Sequence, residues 1–183
     1  MQLSFGFRHS LKWLFISIVI STVASCSFVE PTDYAQQSPQ FQFNKFLQGK
    51  LTGWGIYQSR NGKVQKRFRI DMTASWEGNT GTLTENFIFN DGTTQVRKWV
   101  LTRIDDHHYT GKANDSVGEG KGEVWGNSMN WKYTITTETD SGTYDLDYDY
   151  WMHMIDNKTL MNRATLSKLG FTLGDVAVSF HKH

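Results

Sequence analysis

From Gly49 to the C-terminus the chain alternates apolar and polar residues with a period of two, interrupted by turn residues about every ten positions. Val64, Lys66, Phe68, Ile70, Met72, Ala74 and Trp76 fall on one face of such a strand, and Lys63, Gln65, Arg67, Arg69, Asp71, Thr73 and Ser75 on the other. Met129, Trp131, Tyr133 and Ile135 alternate in the same way with Asn130, Lys132, Thr134 and Thr136. Breaks stand at Asn61-Gly62, Glu77-Gly78-Asn79, Asp91-Gly92, Asp105-Asp106, Gly126-Asn127 and Ser141-Gly142. Asn-Gly and Asp-Gly pairs suit tight hairpins because glycine reaches positive φ without a Cβ clash.

This pattern predicts an all-β domain, an antiparallel up-and-down meander of 8–10 strands. A sheet of that size must hide its edges, and closure into a lipocalin-like barrel hides them most completely. A two-layer sandwich is the alternative; meander order favours the barrel. At this strand number the interior accommodates side chains or one small ligand. A porin-type barrel is disfavoured, because the faces opposite the apolar set carry Lys, Arg, Asp and Asn, which cannot meet lipid.

The N-terminus carries a different signal. Arg8, His9 and Lys12 precede an apolar run from Trp13 to Val23, shorter than the roughly 20 residues that a membrane-crossing helix needs. Val23-Ala24-Ser25-Cys26 follows, and Cys26 is the only cysteine of the chain. The arrangement resembles a bacterial lipobox. It predicts a lipoprotein signal peptide over residues 1–25, a lipidated Cys26 opening a flexible tether over 26–45, and the barrel domain over 46–183. Several acyl chains on one residue bind far more firmly than one chain, which gives only marginal membrane attachment. Ser27, where a retention signal would place aspartate, points to the outer membrane of a bacterial envelope, on its periplasmic side. Residues 27–40 hold both prolines and no apolar periodicity, as a tether would. The run "FQFNKFLQG" is read as a helical turn or plug before the first strand.

Charge and cysteine content exclude several functions. The formal net charge is +1, with no basic stripe suited to phosphate neutralisation, so nucleic acid is not an expected partner. With Cys26 used for lipid, no disulfide or thiolate metal site is available. The glycines of "GKANDSVGEGKGEVWGN" lie between two strand patterns with no helix after them, which suits bulges and sharp bends better than a phosphate loop. His107-His108 at a turn and His181 with His183 near the C-terminus read as exposed histidines. No cofactor or metal is expected, and catalytic residues are not identified.

Polar residues on apolar strand faces are more informative, since burying them is costly unless they are paired. Glu85 shares a face with Leu83, Phe87 and Phe89, and Arg97 shares one with Trp99 and Leu101. Both charges should point inward, either as a polar contact for a ligand or as a structural ion pair. A two-residue Asp91-Gly92 loop would oppose Glu85 to Lys98, and a three-residue loop would oppose it to Arg97. In "DYDYWMHMIDNKTLMNR", residues 147–163, Tyr148, Tyr150, Met152 and Met154 form a dry face. Asp149, Trp151 and His153 form the other face and could sit near a barrel mouth, with Arg163 returning on the next strand. The candidate ligand-binding set is thus Glu85, Arg97, Trp99, Trp131, Tyr133, Asp149, Trp151 and Arg163, with Cys26 as the lipidation site.

Four runs together, "GWGIYQSRNGKVQKRF", "WEGNTGTLTENFIFNDGTTQVRKW", "YTGKANDSVGEGKGEVWGN" and "YWMHMIDNKTLMNRATLSKLG", resemble the bacterial lipoproteins of the domain of unknown function 3833 family. The likeness runs from about Phe46 to the C-terminus. It implies a lipocalin-like barrel and, through gene neighbours akin to cyclopropane-fatty-acid synthases, a connection with envelope lipids. An acid usually precedes the tryptophan at Trp151 in that family; here Tyr150 stands there. The expected function is that of an outer-membrane-anchored lipoprotein, more a binder than an enzyme, holding an apolar, fatty-acid-like molecule. The alternatives are a structural or interaction lipoprotein with a filled barrel, or an enzyme acting on modified fatty acids with Glu85 or Asp149 as base.

Overall fold

The computed structural model describes residues 28–139 and 142–183. Cys26 and the leader lie outside the described residues. Ten strands form one sheet: β1 (Gly49–Ser59), β2 (Val64–Glu77), β3 (Thr80–Phe89), β4 (Thr94–Arg103), β5 (His108–Ala113), β6 (Gly120–Trp125), β7 (Ser128–Thr139), β8 (Gly142–Met154), β9 (Thr159–Lys168) and β10 (Phe171–Lys182). Each strand pairs antiparallel with its sequence neighbours, and β1 pairs with β10, so the meander closes into a barrel. Closure leaves no sheet edge, which decides between barrel and sandwich. The tight reversals Gly78-Asn79 and Gly126-Asn127 use glycines at φ +59° and +53°. At Asp91-Gly92 the loop is three residues long: Phe89 N donates to Thr93 O, and Glu85 faces Arg97.

One end of the barrel is closed by the segment preceding β1. A short helix, α1 (Phe43–Phe46), puts Phe43 and Phe46 among the buried residues with Phe41 and Leu47. Phe43 packs edge-on to Tyr109 at 5.0 Å and Trp76 at 6.3 Å, and lies over Trp131 at 6.0 Å. This plug follows from sequence: four large apolar residues within seven positions cannot all be hidden by a single turn of helix unless it enters the barrel.

The region read as a tether packs against the barrel from Pro31 onward. Pro31–Tyr34 forms a 3-10 helix against β6 and β7, with Pro31 buried. The Tyr34 ring lies 5.7 Å from Trp151 and 5.3 Å from His153, and Phe41 N donates to Gly126 O at 2.7 Å. A segment with no periodicity is thereby ordered by tertiary contact, which periodicity cannot report.

The glycine-rich stretch serves packing. A Cβ on Gly122 would come within 2.1 Å of the Trp131 ring, and Gly111 and Gly120 also face that side chain at 3.0 and 3.2 Å. The missing side chains leave room for an indole inside the barrel, which explains their density between β5 and β7.

Candidate functional site: the barrel cavity

Above the plug, side chains do not fill the barrel. A cavity of about 1250 Å³ runs from Phe43, Leu47 and Trp131 at its floor to Thr93, Gln95, Asn114 and Thr139 at the opposite end. This exceeds the roughly 300–1,000 Å³ of typical small-molecule sites. Its lower wall comprises Leu51, Ile70, Met72, Leu83, Met152 and Phe180; its upper wall includes Phe68, Phe87, Phe89 and Leu166.

Between these apolar zones lies a polar belt. On β3 and β4, strand parity turns Glu85, Arg97 and Trp99 inward, and all three line the cavity. Trp99 Nε1 donates to Glu85 Oε2 at 3.1 Å. Arg97 turns to the β5–β6 connection, where its Nε donates to both carboxylate oxygens of Asp115, at 3.0 and 2.9 Å. Glu85 and Arg97 are therefore cross-strand neighbours without a direct hydrogen bond. The Arg97 guanidinium also lies 5.5 Å from the Phe87 ring centre. Among the described residues no protein atom accepts a hydrogen bond from its terminal nitrogens.

Across the cavity, Tyr133 stacks on Tyr148 at 4.9 Å, and Asn162 Nδ2 donates to the Tyr150 hydroxyl at 2.7 Å. Asn162 Oδ1 is buried with no partner in the described structure. Exchanging the amide's oxygen and nitrogen would leave the nitrogen unpartnered instead, so either orientation leaves one amide group unsatisfied.

Burial sets the ionisation of this belt. It pushes the Glu85 carboxyl above its usual value, against the opposing pull of Arg97 and the Trp99 N–H. Burial likewise raises the Tyr133 hydroxyl well above its normal range and raises Tyr148 and Tyr150, so these phenols stay neutral donors. A carboxyl held above its unfolded value binds its proton more firmly in the native state. Stability is therefore full in acid and falls as pH rises through the window above the ordinary glutamate value, levelling beyond the folded pKa. Glu85→Gln should be more stable than the parent at neutral pH, with an advantage that shrinks on acidification. Urea unfolding across a pH series measures this; an advantage independent of pH contradicts the burial account.

The structure brings together five of the eight candidate binding residues: Glu85, Arg97, Trp99, Trp131 and Tyr133 all line the cavity. Asp149, Trp151 and Arg163 must be corrected as cavity residues, because β8 and β9 turn Tyr150, Met152, Asn162 and Ala164 inward and these three outward. Asp149 accepts from Asn130 Nδ2 at 2.6 Å, Trp151 is covered by Tyr34, and exposed Arg163 reaches Asp175 at 3.3 Å. Arg163 thus neither closes on Asp149 nor points into the barrel. The belt residues absent from the predicted set are Asp115, Tyr148, Tyr150 and Asn162. Parity places the last three on faces with Leu146, Leu160 and Ala164, so the signal was present for them. Asp115 sits in a loop, where no periodicity marks it. Of the histidines, His108 pairs with Asp105, whose carboxyl is pulled down to about 2 chiefly by the backbone N–H of His107 and by His108.

A closed antiparallel barrel with one end plugged and an apolar cavity interrupted by a few polar groups is a lipocalin-like barrel. The chain belongs to the family described as Protein of unknown function (DUF3833), whose model matches residues 20–182. No curated protein matches its sequence. Among solved structures it is similar to the S-type phycobiliprotein lyase CPES from Guillardia theta, with TM-score 0.56 and 6% identity over 79% of this chain and 98% of that one. It is also similar to Rv2717c from M. tuberculosis, with TM-score 0.55 and 14% identity over 80% of this chain and 99% of that one. At these identities the likeness is one of fold.

Proposed function

We propose that this protein is a bacterial envelope lipoprotein, anchored through Cys26 to the outer membrane and facing the periplasm, whose barrel holds one fatty-acid-like molecule. The cavity of about 1250 Å³, apolar above and below a belt containing Arg97, carries the reading. Transfer of an acyl chain from water to such walls is favoured by about 0.8 kcal/mol per buried CH₂. A carboxylate head would accept charge-assisted hydrogen bonds from the terminal nitrogens of Arg97 and from the neutral Tyr133 hydroxyl. The similar structure, by its name a phycobiliprotein lyase, shares this barrel fold. The open cavity disfavours the filled-barrel alternative.

Titrating residues 28–183 with a fluorescent polyene fatty acid tests the reading, because Trp99 and Trp131 on the cavity wall would transfer excitation to a bound polyene. Saturable transfer, displaced by long-chain but not by short-chain fatty acids, is expected. Absence of saturable transfer counts against it.

A further inference from the structure

The open end of the barrel is lopsided. Three features meet at the β1–β2 and β9–β10 hairpins, which closure makes neighbours: Arg60 N donates to Leu173 O at 2.9 Å, and Ser59 pairs with Gly174. The first feature is apolar exposure. Leu169 is 85% exposed, Phe171 73% and Val64 43%, all at or beside these tips. The second is backbone strain. Leu169 is the only described non-glycine residue with positive φ, at +49°, a conformation in which glycine, asparagine or aspartate fits more easily. A leucine there is unfavourable both for its backbone and for its exposure, and local folding supplies no reason for it.

The third feature is charge. Arg60, Lys63, Lys66, Arg67 and Lys168 cluster on these two hairpins, with no acid between Gln58 and Ile70 or between Ala164 and Gly174. Among the described residues none of these five cations is in an ion pair. Lys66 Nζ lies instead 5.0 Å from the Phe89 ring, and Lys168 Nζ 3.6 Å from the Tyr144 ring. Of the acids at this end, Asp91, Asp115, Glu119 and Glu138 belong to the other hairpins and connections, and Asp175, on β10 opposite Gln58, is engaged by Arg163 and Thr165.

We propose that the β1–β2 and β9–β10 hairpins form a membrane-docking lip, which seats Leu169 and Phe171 among the lipids of an anionic bilayer surface while Arg60, Lys63, Lys66, Arg67 and Lys168 meet its headgroups. Exposed apolar side chains rimmed by unpaired cations are complementary to the two layers of such a surface, apolar beneath and anionic above. An acidic protein partner would answer the charges but would leave a strained, protruding leucine without a purpose. Docking by this lip would turn the cavity mouth, where Lys66 and Phe89 stand, toward the bilayer. The inference does not depend on what the cavity holds or on Cys26 being acylated, since it concerns which face of the domain touches lipid.

The test is photo-crosslinking of the full chain reconstituted in phosphatidylglycerol-rich vesicles that contain a phospholipid with a photoreactive headgroup-proximal acyl carbon. Lipid adducts located by peptide mass spectrometry should concentrate on Arg60–Val64 and Lys168–Phe171. They should be several-fold rarer on the Ile155–Lys158 turn at the plugged end, and should fall several-fold with phosphatidylcholine alone or at high salt. Leu169→Asn with Phe171→Gln, changes at exposed sites that leave the core untouched, should lose most of the lip adducts. Adducts spread evenly over both ends, confined to the plugged end, or indifferent to lipid charge and to the double substitution would overturn the proposal. A chain that docks by its lip but binds no fatty acid would leave this inference standing while removing the proposed cargo.

Discussion

Replacing Arg97 by leucine is expected to destabilise the barrel by about 3–5 kcal/mol, the usual cost of removing one partner from a buried ion pair. Asp115 would be left nearly enclosed, with only Gln95 at 3.3 Å to replace the two bonds it receives from Arg97 Nε. Glu85 would lose the cation that offsets part of its burial, and its carboxyl would move further upward. Much of the cost is therefore that of an orphaned charge, so Arg97→Leu combined with Asp115→Leu should recover a large part of it. Urea unfolding of the two single variants and the double variant measures the coupling. In the proposed function Arg97 also binds the ligand's head, and the double variant, though refolded, should bind fatty acid at least roughly tenfold more weakly than the parent. A double variant that binds normally would make the pair purely structural.

Phe43→Ala is expected to cost a similar amount, about 3–5 kcal/mol, through lost burial and an uncollapsed cavity. The size follows from position. Phe43 is 3% exposed and touches Tyr109, Trp76 and Trp131, rings contributed by three different strands. Those rings cannot all move inward, because Trp131 is already seated against Gly111, Gly120 and Gly122. Phe28→Ala, at a side chain 88% exposed, supplies the comparison and should change stability little. Equal losses in the two variants would mean that the plug does not belong to the cooperative core.

The period-two pattern makes much of this legible in the sequence itself. It set the strands, most of the hairpins and the inward direction of Glu85 and Arg97, because a one-residue error in parity would have buried the opposite face of every strand. The register at Asp91-Gly92 was open, since glycine permits both loop lengths; the asparagine of Asn90, whose Oδ1 accepts from Arg67 N at 2.8 Å, is part of the three-residue solution. The outward fate of Trp151 was harder to see. An aromatic on a polar face suggests a site until the covering element is known, and here that element is the aperiodic Pro31–Tyr34 turn. Asp115 was equally silent, because a loop carboxylate gains meaning only when folding brings it to Arg97 from 18 residues away.

In the proposed function the barrel is a container for an acyl chain with a single polar head. Native mass spectrometry of the protein, purified from its own envelope without delipidation, addresses that claim most directly. Lipid released from the complex should be one class of long-chain amphipath at close to one per chain, and it should be depleted in the Arg97→Leu, Asp115→Leu variant. A protein that emerges with no bound lipid, yet unfolds as cooperatively as the account requires, would contradict it.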